Sequence, residues 1–192
     1  MTKFRADVGV LMNITPDHLD RYDYKFENYA ASKMRITQNQ SSADAFIYSA
    51  DDDMTRQMLD KMDSSLRARQ LPFAINTAIA SGDGDAVLEG YTFTASVGKQ
   101  SVTIDTRKMQ IHGMHNIYNA MAAALATLAA GVEPRVIKRS IYDFSPVEHR
   151  LEPAGERNGI RWINDSKATN VDSVWYALES MQQPTVWIAG GT

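Results

Sequence analysis

The chain has 192 residues, 44% hydrophobic and 22% charged, with a formal net charge of -3. Such a composition suits one large globular domain or two small ones and leaves no electrostatic footprint for nucleic acid or a membrane surface. With no cysteine, a disulfide framework, a thiolate zinc site and a cysteine nucleophile are excluded, which fits a reducing cytoplasm. No apolar run approaches the roughly 20 residues needed to span a bilayer, and Met1-Thr2-Lys3-Phe4-Arg5 has no apolar signal-peptide core.

In chain order, residues 8–14 (VGVLMNI) read as a buried strand. Residues 25–40 read as a helix, 43–50 as a second strand, and Asp51-Asp52-Asp53 as the acidic start of a helix reaching Met62. A third strand covers 71–76. This βαβα order predicts a mostly parallel sheet with helices packed on it. Residues 81–111 are rich in glycine and β-formers and predict two or three antiparallel strands, with Gly82, Gly84, Gly90 and Gly98 near turns. An alanine-rich helix follows over 115–130, stopped by Gly131, and Pro134 opens another to Tyr142. Phe144-Ser145-Pro146 breaks the pattern and divides the chain into 1–147 and 148–192. Beyond it, 160–164 reads as a strand, Val171, Val174, Trp175, Leu178 and Met181 follow helical spacing, and 185–189 reads as a last strand ending at Gly190-Gly191-Thr192. Two parallel strands and one helix cannot cover both faces of a sheet, so the second unit reads as the truncated start of a Rossmann-like domain.

Five groups of residues could carry chemistry. Lys33 lies in the apolar stripe of Phe26, Tyr29, Ala30 and Ile36. There it either snorkels along its own stem or is kept as a neutral amine by burial. Asp17, His18 and Asp20 follow a strand and suit either a divalent ion or plain turn capping. His115, Asn116 and Asn119 sit at a helix start. Asn116 and Asn119 share a face and can read an adenine edge or serve as a cap with one buried polar contact. Arg150 stands just past the proposed boundary, where it either clamps phosphate or lies on an exposed strand. In Asn164-Asp165-Ser166-Lys167-Ala168-Thr169-Asn170, Asp165 ends a strand, where carboxylates meet a ribose, and Lys167 and Thr169 precede a helix N-terminus that attracts anions. Asn170 or Thr169 alternatively serves only as a cap.

Together the strings resemble the Mur ligase family. They are 13–22 (NITPDHLDRY), 32–35 (SKMR), 114–119 (MHNIYN), 148–150 (EHR) and 163–170 (INDSKATN), in family order. The last is similar to the D-glutamate-adding branch. The resemblance implies an α/β central ATP-binding domain, in part, over 1–147 and the beginning of a Rossmann-like amino-acid-binding domain over 148–192. It implies ATP and Mg2+ as cofactors and UDP-N-acetylmuramoyl-L-alanine and D-glutamate as small-molecule substrates. It further implies a cytoplasmic, monomeric full-length form in peptidoglycan precursor synthesis, with no nucleic-acid or membrane partner. In these terms Lys33, as a carbamate, and His18 hold magnesium and are catalytic. Asn116, Asn119 and His149 lie on the adenine side, Arg150 contacts phosphate and Asp165 the ribose. Lys167 and Thr169 lie near D-glutamate. The family's uridine-nucleotide domain and its phosphate loop, G-x-x-x-x-G-K-[ST], do not occur in the 192 residues, and Gly190-Gly191-Thr192 resembles a later motif cut off. The chain alone is therefore expected to be inactive. The alternatives are a folylpolyglutamate synthase-like ligase, a non-catalytic nucleotide-binding module and a purely structural protein, the last leaving the inward lysine unexplained.

Overall fold

A computed structural model describes residues 3–62, 65–79, 82–145, 147–169 and 171–190. Asn170, Pro146, Gly191 and Thr192, which figure in the sequence reading, lie outside the described residues.

One six-stranded sheet organises the first three-quarters of the chain, in the sequential order β1 to β6. The strands are β1 Val8–Leu11, β2 Ala45–Ser49, β3 Arg69–Ala74, β4 Gly84–Glu89, β5 Thr92–Val97 and β6 Gln100–Asp105. The first four run parallel, and β4, β5 and β6 form antiparallel pairs. The sequence pattern accounts for the change of style. In β2, Ala45, Phe46, Ile47 and Ser49 are all buried, as expected of a parallel strand covered on both faces. In β5, buried Phe93, Ala95 and Val97 alternate with more exposed residues, as expected where one face meets water.

Helices α1 Phe26–Met34 and α2 Asp53–Met62 lie on one face of the parallel part, where Leu11, Ile14, Tyr29, Ala30, Met34, Phe46 and Ala68 form one core. Helix α3 Met114–Ala129 covers the other face. There Ala120, Ala124 and Leu125 pack with Ile47, Leu71, Phe73 and Phe93. Helix α4 Pro134–Asp143 continues that layer over β6. The alanines of α3 are physically apt, because small side chains let a helix axis settle close to a sheet. Gly131, at φ 82°, terminates α3 in the left-handed region, and Pro134 opens α4 as its spacing predicts.

The structure corrects the sequence reading at several points. The helix expected over 25–40 is α1, followed by a separate 3-10 turn, Arg35–Thr37. Gly84, expected near a turn, has a further role that the sequence did not show. It opens β4, where a Cβ would overlap the carbonyl oxygen of Ser96 on β5. Beyond 147, an unanticipated strand β7 Glu152–Arg157 pairs antiparallel with β8 Ile160–Asn164 around Asn158 and Gly159, both at positive φ. The strand expected over 185–189 does not form: among the described residues that segment has no strand pairing, and Val186, Trp187 and Ile188 are exposed. Of the two strands anticipated there, only 160–164 forms, and its partner is the antiparallel β7. Helix α5 Val171–Glu179 forms as its periodicity predicts, with Val171 and Trp175 exposed and Ala177 buried.

Candidate functional site

Strands β1, β2 and β3 are parallel neighbours, so their carboxyl ends lie side by side, the edge at which such sheets bind ligands. The segment after β1 carries Asn13 to Asp20, the segment after β2 carries Asp51 and Asp52, and that after β3 carries Ile75, Asn76 and Thr77.

Lys33 is half-buried on α1. Its Nζ donates to the carbonyl of Asn13 at 3.3 Å and stands 4.9 Å from the centroid of the Tyr29 ring. The inward lysine therefore crosses to the segment that carries His18 instead of ending in bulk water. His18 is exposed, at a left-handed φ of 49°, before a 3-10 turn Leu19–Tyr22. Its backbone N–H donates to the Asp17 carboxylate at 2.9 Å, and its ring Nε2 lies 3.6 Å from the same carboxylate. Asp20 is exposed on the turn. Among the described residues no three histidine, aspartate or glutamate side chains cluster so as to hold a metal ion. Asp17, His18 and Asp20 are thus not a closed metal cage.

Helix α3 is preceded by Gly113, whose φ is 97°. Asn116 turns its amide back to donate to the His112 carbonyl at 2.7 Å, closing the helix start, so one of its donors is committed locally. Asn119 is exposed. It lines the rim of a cleft of about 280 Å³ between α3 and α4, whose walls include Met109, Ile111, Ala123, Val136 and Phe144.

The residues past the proposed boundary come together with this helix start. His115 is half-buried, and its ring lies 5.8 Å from that of Tyr176 on α5. Burial lowers the His115 pKa, the Arg150 guanidinium lowers it further, and Asp165 opposes both. Arg150 and Asp165 therefore lie within electrostatic reach of the α3 start. Asp165 is half-buried and accepts the Leu151 N–H at 3.1 Å, and the Lys167 N–H donates to the His149 carbonyl at 3.1 Å. His149, at φ 65°, meets the Asn164 amide through Nδ1 at 2.8 Å. The side chains of Arg150, Lys167 and Thr169 are exposed on this knot. Two groupings result: Lys33 with the β1 segment, and His115, Arg150 and Asp165 beside the asparagines of α3.

Sequence reasoning read Asp51 and Asp52 only as the acidic start of a helix. In the fold, α2 begins at Asp53; Asp52 caps it and also reaches the β1 segment, while the Asp51 carboxylate points away from the helix altogether. Asp51 accepts the backbone N–H groups of Ile75 at 2.6 Å, Asn76 at 3.2 Å and Thr77 at 2.7 Å, and the Tyr118 hydroxyl at 2.7 Å. Asp52 accepts the Ile14 N–H at 3.3 Å, the Thr55 N–H at 2.8 Å and the Thr55 hydroxyl. The available signal was two acids directly after a buried strand.

The family model of the Mur ligase middle domain matches residues 1–127. The chain belongs to the Mur ligase family. It is 45% identical over 189 residues to a UDP-N-acetylmuramoylalanine–D-glutamate ligase of Christiangramia forsetii, covering 98% of this chain and 41% of that protein. To the ligase of the same name from Bacteroides fragilis it is 46% identical over 191 residues, covering 100% and 42%. This Mur ligase chain thus spans about two-fifths of the length of those relatives. In fold it is similar to MurF from Acinetobacter baumannii, with a TM-score of 0.70 and 20% identity over 94% of this chain and 38% of that one. A MurF ligase from Thermotoga maritima in complex with ADP gives 0.60 and 18%, covering 91% and 39%. At such identities the structures bear on the fold alone. Among the described residues no helix is long and apolar enough to cross a membrane.

Proposed function

We propose that this Mur ligase chain carries part of the ATP and amino-acid sites of a cytoplasmic, monomeric ligase that joins D-glutamate to UDP-N-acetylmuramoyl-L-alanine. The observation that carries this reading is 45–46% identity, over nearly the whole chain, to relatives bearing that ligase name. The 164–170 loop supports the same amino acid. We keep the division into a central ATP-binding part, 1–147, and an amino-acid-binding part, 148–192.

In the reaction, a substrate carboxylate oxygen attacks the γ-phosphorus of ATP, giving an acyl phosphate and ADP. The D-glutamate amine then attacks the acyl carbon, the amide bond forms, phosphate departs and the amine loses its proton. The protein's part is positioning and charge neutralisation. Asn119 and the free functions of Asn116 face the adenine, with His149 nearby. Arg150 steadies phosphate, Asp165 the ribose, and the exposed Lys167 and Thr169 receive the carboxylates of D-glutamate. The donor set suits magnesium in one way: an ion of this kind takes several ligands from phosphates and water and only one or two from protein. His18 and a carbamate on Lys33 would hold it, and it would supply neutralisation of phosphate charge. The Lys33 amine, which donates to the Asn13 carbonyl at 3.3 Å, would be the group that carries the carbamate.

The test is phosphate release from ATP with UDP-N-acetylmuramoyl-L-alanine, comparing D-glutamate with L-glutamate. It uses this chain alone and a longer chain that carries it behind a G-x-x-x-x-G-K-[ST] loop. The expected result is release by the longer chain with D-glutamate only, and none by the 192 residues alone. Release that prefers L-glutamate, or depends on a folate acceptor, would favour the folylpolyglutamate synthase-like alternative.

A further inference from the structure

Resting on that reading, we infer that Asp51 and Asp52 form a positioning pair that fixes the Lys33 and His18 segment in register with the nucleotide-side start of α3. Strand β2 lies between β1 and β3, so a residue leaving its carboxyl end is within reach of both neighbouring loops. Asp52 turns toward β1 and takes the Ile14 N–H at 3.3 Å, next to Asn13, whose carbonyl receives Lys33. Asp51 turns toward β3 and takes three consecutive backbone N–H groups there. Its fourth partner is Tyr118, which lies between Asn116 and Asn119 in sequence.

The acceptor capacity of the Asp51 carboxylate, about four lone-pair sites, is thus fully used, and every one of its partners lies outside its own strand and helix. A helix cap needs only one N–H, and Asp52 already supplies that service to α2 through Thr55. The β3 loop is held a second time by Arg56 of α2, whose Nη1 donates to the Ala50 carbonyl and to the Thr77 hydroxyl at 3.2 Å. Two adjacent carboxylates therefore join three loops and the start of α3, with the two groupings of candidate residues at opposite ends of the connection.

Both aspartates act through other residues and touch no reacting atom, so the test reads position directly. Amide NMR and hydrogen exchange of the 192-residue chain would be compared for wild type, Asp52→Ser and Tyr118→Phe. Serine keeps an N-cap for α2 but is too short to hold Ile14 as well. With the spectrum otherwise folded, Asp52→Ser is expected to speed Ile14 amide exchange about tenfold and to move the side-chain amide signals of Asn116 and Asn119. Tyr118→Phe leaves the backbone bonds of Asp51 in place and is expected to move signals of Ile75, Thr77 and Ile14. Changes confined to Ile14 and Thr55 in the first variant, or to α3 in the second, would overturn the inference. Because no nucleotide is present in the measurement, loss of the proposed function and loss of this coupling are separate outcomes.

Discussion

A single carboxylate, that of Asp51, gathers three backbone N–H groups and the Tyr118 hydroxyl. Partial burial acts to raise its pKa, but the N–H groups of Ile75 and Asn76, the Thr77 contact and the Tyr118 hydroxyl outweigh it and hold the carboxyl below its ordinary value of 3.8. Correspondingly, burial and the bond to Asp51 push the Tyr118 phenol upward. The sign follows from linkage. A carboxyl whose folded pKa is depressed adds stability that is fully present above its unfolded value and is lost as pH falls through the folded one. Urea midpoints measured between about pH 5 and about pH 2 are expected to fall with acid in the wild type and to fall less steeply in Asp51→Asn. Equal acid slopes in the two proteins would remove Asp51 from this role. Asp105, drawn down to about 2 chiefly by its bond to Arg107, supplies acid sensitivity that remains in both. Lys33 was legible in the sequence, because a helical wheel alone sets it in an apolar stripe. Asp51 was not. Its partners are backbone groups and a tyrosine as far as 67 positions away, and no local pattern marks them.

Among the elements, those with strong periodicity or clear punctuation were legible: β2, β3, the antiparallel β4 to β6 and α3 with its terminating Gly131. The misreadings share a cause, namely that pairing partners decide whether a stretch becomes a strand. Residues 152–157 (EPAGER) carry a proline, a glycine and three charges, a poor strand by composition, yet they pair with β8 across Asn158 and Gly159. Residues 185–189 are rich in β-formers but find no partner among the described residues. Gly84 was expected near a turn, but that expectation did not show its role, which is close approach of β4 to β5. Gly84→Ala must displace backbone. It is expected to destabilise the fold by about 1–3 kcal/mol, as overpacking does. Gly82→Ala, where an added Cβ meets nothing within 4 Å, is expected to cost far less. Similar denaturation midpoints for the two variants would contradict the close-approach account.

At the scale of the whole molecule, a sheet with helices on both faces brings three strand ends to one edge and sets the start of α3 beside them. The family strings were legible as strings. Their grouping needed the fold, which joins Lys33 to Asn13, and brings His115 near Arg150 and Asp165, through contacts between residues far apart in sequence. On the proposed function, the asparagine-bearing start of α3, with Arg150 and Asp165 beside it, is a preformed part of an ATP site. The most direct measurement is a calorimetric titration of the chain with Mg-ATP, run in parallel on Asn119→Ala. Heat of weak binding is expected in the wild-type chain and is expected to disappear in the variant. No binding by the wild-type chain, or an isotherm unchanged by Asn119→Ala, would contradict that reading.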